Sequence, residues 1–119
     1  MTSNSKTEVG RLGEDLARKY LEKKGYKILE QNYRTRYAEI DLVARHKDVL
    51  VFVEVRTKIG ERFGTPEETL NAKKLQKVKR NAFSYAAHMK WNKLYRIDAV
   101  CIVLAPDRTP KRIAHYENV

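Results

Sequence analysis

Two stretches of sequence decide the fold: Glu39–Arg45 (EIDLVAR) and Val49–Arg56 (VLVFVEVR), which are separated by His46-Lys47-Asp48. The first alternates acidic and apolar residues, and the second is the most apolar run of the chain, as expected for a central strand. The three-residue connection is short enough for a tight turn. The sequence therefore predicts a β-hairpin over these residues.

This hairpin predicts that two carboxylates lie side by side. If the turn is centred between Lys47 and Asp48, Asp41 faces Glu54 across the two strands. Residues two apart in a strand point to the same side of the sheet. One face is therefore predicted to carry Glu39, Asp41, Glu54, Arg56 and Lys58, and the other Ile40, Leu42, Val53 and Val55.

Paired carboxylates on neighbouring strands suit metal-assisted phosphodiester cleavage. Cross-strand Cβ atoms lie roughly 5 Å apart, so two carboxylates can share one divalent cation. The metal polarises a phosphoryl oxygen, and a nearby cation stabilises the growing charge. The alternative is an exposed sheet face with ordinary salt bridges. The position of Glu54, between Val53 and Val55, favours the functional interpretation, because a buried carboxylate is costly unless a cation meets it.

A first helix is predicted from about residue 6 to 24, with Ser5 and Glu8 at capping-box spacing. Glu14 lies at the edge of its apolar face, where it can point toward the hairpin or pair with Arg18; helix geometry favours the pair. The buried stripe is predicted to be Val9, Leu12, Leu16 and Tyr20. Beside it, the small residues Gly10, Gly13 and Ala17 form a line where another backbone can approach closely.

The remaining pattern predicts an α/β sandwich. A strand over residues 26–33 follows the first helix, and residues 57–64 form a loop after the hairpin. A second helix is predicted from Thr65 to about Met89, followed by strands at 95–104 and 110–116. The order αβββαβ(β) indicates a mixed central sheet flanked by two helices. We expect a single domain over residues 1–119, with residues 1–6 as a loose lead-in.

Composition and charge narrow the function classes. The chain of 119 residues has 42% hydrophobic residues, and its 25 Lys+Arg against 15 Asp+Glu give a net charge of +10. This excludes a disordered tail and a membrane-spanning protein, and it favours a polyanionic partner. The single cysteine, Cys101, excludes a disulfide framework. The first residues lack the apolar stretch of a signal peptide, so we expect a cytoplasmic protein.

The second helix carries a one-signed charge pattern. No acidic residue occurs between Glu68 and Asp98. Helical spacing places three cations together opposite the apolar face, and two more precede the hairpin; a solvated face normally carries both signs of charge. This favours sequence-independent contacts to nucleic-acid phosphates. The predicted nucleic-acid-binding residues are Lys73, Lys77, Arg80, Arg34 and Arg36.

These motifs, in their order along the chain, resemble the YraN-like family of bacterial proteins. The resemblance covers nearly the whole chain from residue 8 onward. It rests on Gly10-Arg11-Leu12-Gly13-Glu14, Asn32-Tyr33-Arg34, Glu39-Ile40-Asp41-Leu42, Val51-Phe52-Val53-Glu54-Val55-Arg56, Phe63-Gly64, Lys73-Lys74 and Arg96-Ile97-Asp98.

The resemblance implies a restriction-endonuclease-like fold with a PD-(D/E)-x-K metal site, similar to that of Holliday-junction resolvases. It makes Asp41 and Glu54 the metal-binding acids and Glu14 a helix-borne acid of the site. The lysine of that motif is replaced by Arg56, which stays protonated and can clamp phosphate but cannot act as a base. Lys58, two residues further, lies on the same predicted face.

We therefore expect a nucleic-acid-binding protein that acts as a Mg²⁺- or Mn²⁺-dependent DNA endonuclease on branched or damaged DNA. The alternative is a non-catalytic DNA- or RNA-binding module that keeps the nuclease scaffold, which Arg56 favours. A protein that docks an acidic partner is a third class. No membrane contact is expected, and a homodimer is an open alternative because resolvase relatives work as dimers.

Overall fold

A five-stranded mixed sheet forms the centre of the protein in the computed structural model, which describes residues 7–119. The strands lie in the order β1-β2-β3-β4-β5, with β3 and β4 parallel and the other pairs antiparallel. The elements are α1 (Glu8–Lys23), β1 (Lys27–Arg34), β2 (Glu39–His46), β3 (Val49–Ile59), a 3₁₀ turn (Glu67–Thr69), α2 (Ala72–His88), β4 (Tyr95–Leu104) and β5 (Pro110–Tyr116).

The two helices cover opposite faces of the sheet. On the α1 side, Ala17 and Leu21 pack against residues such as Leu42 and Val53. On the α2 side, Val78, Ala82 and Tyr85 pack against Ile40 and Phe52. The predicted α/β class and mixed sheet are therefore confirmed, and β3 is the central strand. Neither helix within residues 7–119 combines the length and apolarity needed to cross a bilayer.

The β2–β3 hairpin has the predicted register. Its ladder runs from His46↔Val49 to Leu42↔Val53. The next pair would be Asp41 and Glu54, but there Oδ2 of Asp41 accepts a hydrogen bond of 2.8 Å from the backbone N–H of Val55. The pairing of β2 with β3 therefore ends at Leu42 and Val53, immediately before the two carboxylates.

Ile40 lies on the other face from the one predicted. The simple alternation placed it with Leu42 on the α1 side, yet it belongs to the α2-side cluster. The alternation fails at Asp41, between Ile40 and Leu42. There the Asp41 carboxylate, rather than a backbone carbonyl of β2, accepts the hydrogen bond from the N–H of Val55. In β1, Asn32 lies between the pairs Gln31↔Leu42 and Tyr33↔Ile40 and has a left-handed backbone, with φ 55°. A non-glycine residue in that region marks a local departure from regular strand geometry.

The cap and the buried stripe of α1 differ from the prediction. Thr7 is the N-cap, and its side chain accepts from the N–H of Gly10, whereas Ser5 lies outside the described residues. The fully buried stripe runs through Gly13, Ala17 and Leu21. An added Cβ at Gly13 would lie 1.8 Å from Oγ1 of Thr57. The small residues thus make the close approach to β3, while Val9, Leu12, Leu16 and Tyr20 pack against the same core from partly buried positions.

The second helix begins later than predicted. Thr65 and Glu68 do form a capping box, with hydrogen bonds of 3.3 and 2.7 Å, but it starts only the short 3₁₀ turn. The chain is extended at Leu70 and Asn71, and the side chain of Asn71 caps α2 through the N–H of Lys74. A second N-cap therefore restarts the helix. The loop predicted over residues 57–64 begins later than expected, because β3 continues to Ile59.

Candidate functional site

A pocket of about 290 Å³ opens on the α2 side, next to the end of the β2–β3 ladder. Its acidic lining comes from the hairpin, and its basic lining comes from β3 and the first half of α2. The structure thus places the two predicted metal-binding acids in one pocket. The charged residues that line it are Glu39, Asp41, Glu54, Arg56, Lys74 and Lys77.

Both candidate carboxylates are buried. Asp41 is 4% exposed and Glu54 is 2% exposed. The 2.8 Å hydrogen bond from the N–H of Val55 fixes the orientation of Asp41 relative to β3. Because burying a carboxylate is unfavourable unless it is compensated, two such groups in one pocket need hydrogen bonds or positive charge beside them.

Two cations supply part of that compensation at Glu54. Nη2 of Arg56 lies 3.0 Å from Oε2 of Glu54, and Nζ of Lys74 lies 3.6 Å from the same oxygen. Arg56 comes from the same strand, whereas Lys74 reaches across from α2. The pocket therefore places buried negative charge next to more exposed positive charge.

Lys74 is the site residue that sequence reasoning missed. Helical spacing drew attention to Lys73 and Lys77, which lie opposite the apolar face of the helix. With Asn71 as the cap, Lys74 lies in the first turn of α2 and three residues before Lys77. Residues three apart are neighbours on a helix surface. Its position four residues before the buried Val78, which also lines the pocket, is the signal that could have found it.

Two predicted catalytic residues do not line this pocket in the described part of the chain. Glu14 is buried in α1 and accepts a hydrogen bond of 2.7 Å from Nδ2 of Asn32. Arg18, its predicted partner, pairs with Asp15 and Glu22. Lys58 donates to the carbonyl of Phe63 at 3.5 Å and thus points to the loop after β3.

The predicted basic face adjoins the pocket. Lys73, Lys77 and Arg80 line a neighbouring depression of about 360 Å³, and Lys77 belongs to both. The guanidinium of Arg80 lies 6.0 Å from the ring centre of Tyr37, and that of Arg36 lies 5.6 Å from it. Positive charge therefore continues from the pocket over α2 to the β1–β2 loop.

Arg34, the remaining predicted phosphate contact, pairs with Glu39 at 3.7 Å. Glu39 itself lines the carboxylate pocket. Arg34 thus stands at the edge of the pocket rather than on the open basic face.

The Arg96-Ile97-Asp98 motif forms a separate charged cluster on the α1 side. Asp98 is fully buried, and Arg96 and His115 contact its carboxylate at 2.9 and 2.8 Å. Burial alone would raise the pKa of Asp98, but hydrogen bonds from His115 and Arg96 lower it below its usual value. The carboxylate of Asp98 is therefore already paired inside the core, and the motif has a structural explanation that needs no ligand.

Fold and pocket together define an α/β protein in which a buried pair of carboxylates opens beside a cationic helix. Residues 13–102 match the family described as "Uncharacterised protein family UPF0102", and the chain belongs to this family. This confirms the YraN-like resemblance.

The similarity to curated relatives extends over most of the chain. A UPF0102 protein of Thermodesulfovibrio yellowstonii is 40% identical over 114 residues, which is 96% of each chain. A UPF0102 protein of Pelotomaculum thermopropionicum is 39% identical over 111 residues, 92% of each. One from Caldanaerobacter subterraneus is 39% identical over 120 residues and covers 99% of this chain.

Proposed function

We propose that this protein binds nucleic acid and hydrolyses phosphodiester bonds in DNA, on a restriction-endonuclease-like scaffold. The observation that carries the proposal is the shared pocket of Asp41 and Glu54, which opens onto the basic face of α2. A phosphate held on that face lies next to the two acids. The order of helices and strands, and the resemblance to Holliday-junction resolvases, support this scaffold and favour branched or damaged DNA as substrate.

The donor chemistry of the pocket fits a magnesium ion. Mg²⁺ is commonly held by one or two carboxylates, and water and substrate phosphates complete its coordination. Within residues 7–119 no group of three His, Cys, Asp or Glu side chains is arranged to hold a metal ion, and of the three acids that line the pocket Asp41 and Glu54 are the buried ones. Asp41 and Glu54 would hold the ion. When bound, it would polarise the phosphoryl oxygen and activate a water molecule.

The cations have their own roles in this proposal. Arg56 and Lys74 neutralise Glu54 in the free protein. When a phosphodiester enters, their N–H groups can turn to its anionic oxygens, which are strong acceptors. Arg56 then stabilises the negative charge that grows on the phosphate, while Lys77 and the basic face hold the flanking backbone.

A cleavage assay tests the proposal. Duplex, flapped and four-way-junction DNA are incubated with the protein and Mg²⁺ or Mn²⁺. We expect cleavage by the wild type and by the control Asp15→Asn, which changes an exposed acid on α1. Asp41→Asn and Glu54→Gln are expected to reduce the rate by about 100-fold or more, because mutation of a residue that only supports a metal ligand already costs about 10- to 100-fold. Cleavage that persists in both variants would refute the site assignment.

A second function, a non-catalytic nucleic-acid-binding module, is favoured by one observation. Oε2 of Glu54 already lies within 4 Å of two cations, one of which, Arg56, replaces the usual lysine. A carboxylate compensated in this way can serve as a structural anchor for the basic wall. Mn²⁺ titration separates the two functions: the nuclease binds Mn²⁺ through Asp41 and Glu54, and the pure binding module does not.

A further inference from the structure

A second cavity, of about 430 Å³, lies at the opposite end of α2. It is enclosed by the last turn of α2, the first residues of β1 and the β2–β3 turn. Its apolar walls include Leu29, Met89 and Trp91. Leu29 is 40% exposed and Met89 is 55% exposed. Apolar side chains that remain accessible around a concave site are typical of a ligand-binding surface.

Trp91 gives this cavity a rigid aromatic wall. Its indole N–H donates to the carbonyl of Leu94 at 2.8 Å, and its backbone N–H donates to the carbonyl of Ala86 at 2.9 Å. Both ends of the residue are therefore fixed, and little conformational entropy is lost when a planar group stacks on the ring.

The charged residues that line the cavity are all cations: Lys27, Arg45 and Lys47. The guanidinium of Arg45 lies 5.2 Å from the ring centre of Trp91. The nearby Asp48 is engaged by Arg45 and by Lys93, both at 3.3 Å. A planar, apolar surface bordered by cations is complementary to a flat ligand that carries negative charge.

We propose that this cavity binds an unpaired nucleotide of a DNA strand, with the base replacing the Arg45 guanidinium on the ring of Trp91 and the phosphate near Lys27. The inference rests on the proposed binding of nucleic acid to the basic face. Base–aromatic stacking combined with a cationic groove is the usual basis of single-strand binding. An acidic peptide could pair with the cations of the cavity, but it would offer no planar group to stack on Trp91.

The position of the cavity fixes how a strand would lie. The cavity and the carboxylate pocket both flank α2 on the same side of the sheet. Lys77 and Met89 are twelve residues apart in sequence, and a helix rises 1.5 Å per residue, which gives about 18 Å. At the 3.4 Å spacing of one strand of duplex DNA, that distance corresponds to about five nucleotides. The substrate implied is DNA with an unpaired nucleotide a few nucleotides away from the phosphodiester bond at Asp41 and Glu54.

Trp91 is the single tryptophan of the chain, so its fluorescence reports on this cavity directly. The full-length protein is titrated with oligothymidylate, with blunt duplex DNA, with duplex DNA that carries a single-stranded overhang, and with polyglutamate. We expect oligothymidylate and the overhang to quench the fluorescence, and the overhang substrate to bind about tenfold more tightly than blunt duplex.

Two variants and a control accompany the titration, with affinity measured by the anisotropy of labelled DNA. Trp91→Leu and Lys27→Glu are expected to abolish the preference for the overhang substrate. Lys111→Glu makes the same charge change on an exposed residue of β5 and is expected to retain it. Lys27 is exposed, so its substitution tests the cavity even if Trp91→Leu fails to fold.

These measurements distinguish failure of the unpaired-base site from failure of the proposed nucleic-acid binding. Equal binding of blunt and overhang DNA without quenching would overturn the unpaired-base site and leave the proposed nucleic-acid binding standing. Quenching by polyglutamate but not by oligothymidylate would overturn it in favour of an acidic protein partner. Absence of binding to every DNA would overturn both proposals.

Discussion

Nζ of Lys74 lies 3.6 Å from Oε2 of Glu54, and this ion pair connects α2 to the centre of β3. Arg56 approaches the same oxygen to 3.0 Å. A buried carboxylate is tolerated in its charged form when cations and hydrogen bonds replace its hydration. A metal ion that binds Glu54 must therefore compete with these two cations.

Removal of Lys74 should strengthen metal binding. In Lys74→Met one competing cation is lost, and because the lysine is 47% exposed its attraction to Glu54 is partly screened. We expect Mn²⁺ affinity, measured by calorimetric titration, to rise by several-fold, about 1 kcal/mol. The control Lys73→Met, on the neighbouring depression, should leave the affinity unchanged. Unchanged or weaker Mn²⁺ binding by Lys74→Met would contradict the assignment of Glu54 as a ligand.

The basic face should control the salt dependence of DNA binding. Each phosphate that a protein neutralises contributes about 0.9 to the slope of log affinity against log salt concentration. A variant without the three α2 cations is expected to bind duplex DNA with a slope smaller in magnitude by roughly 2 to 3. The measurement is anisotropy of labelled DNA at several salt concentrations. The substitutions are Lys73→Ala, Lys77→Ala and Arg80→Ala.

A matched triple variant controls for net charge. It removes three exposed cations from α1 and β5, away from the proposed interface, and it should keep the wild-type slope. If the slope decreased equally in both triple variants, DNA binding would depend on the net charge of the protein and not on the basic face of α2. The control substitutions are Lys19→Ala, Lys23→Ala and Lys111→Ala.

Gly13 should be intolerant of a side chain. In Gly13→Ala the new Cβ would lie 1.8 Å from Oγ1 of Thr57 and 2.8 Å from its Cβ. Alanine favours a helix over glycine by about 1 kcal/mol, but overpacking in a core costs about 1–3 kcal/mol. Because the clash includes a Cβ, we expect the steric cost to dominate and the midpoint of urea unfolding to fall.

The double variant Gly13→Ala/Thr57→Ala tests the cause of that loss. It removes the hydroxyl and methyl groups that meet the new side chain, so part of the lost stability should return. If the double variant is no more stable than Gly13→Ala, the contact with Thr57 is not the reason why a side chain at residue 13 is unfavourable.

The strands were predictable because their signals are local. The apolar run of β3 and the alternation in β2 fix the hairpin register, and β4 and β5 have the bounds that their residue types predict. The faces of the helices were less predictable. Large apolar residues of α1 dominate the periodicity, yet Gly13 and Ala17 face the sheet because only small residues permit the close approach to Thr57.

The site was predictable only in part. Asp41 and Glu54 follow from strand alternation and lie in one pocket, but Ile40 is on the opposite face because the alternation breaks at Asp41. Lys74 was missed because the prediction used only the cations opposite the apolar face of α2, whereas Lys74 lies four residues before the buried Val78 and reaches Glu54.

Acid should weaken the attachment of β5 to the segment before α2. A hydrogen bond from Arg112 lowers the pKa of Glu67 from 4.5 to about 2, against the opposing effect of burial. A carboxyl group with a lowered folded-state pKa contributes stability that is present above pH 4.5 and is lost as the pH falls through about 2. In Arg112→Gln the largest cause of the lowered pKa is removed, while the hydrogen bond from Tyr116 remains. Urea midpoints should therefore decline less between pH 4.5 and 2 in the variant than in the wild type.

The control for this experiment is Lys111→Gln, which lowers the charge of β5 without touching Glu67. It should follow the wild-type pH profile. An identical acid-induced decline in Arg112→Gln and in wild type would show that the Arg112–Glu67 hydrogen bond does not control the acid stability of this segment.

The central claim is that Asp41 and Glu54 together capture one divalent cation. Crystals grown with Mn²⁺ and a short DNA duplex test it most directly, through the anomalous scattering of manganese. The account predicts one anomalous peak within coordination distance of both carboxylates, and loss of that peak in Glu54→Gln. Bound DNA on the basic face with no manganese at these two acids would contradict it and identify the protein as a binding module alone.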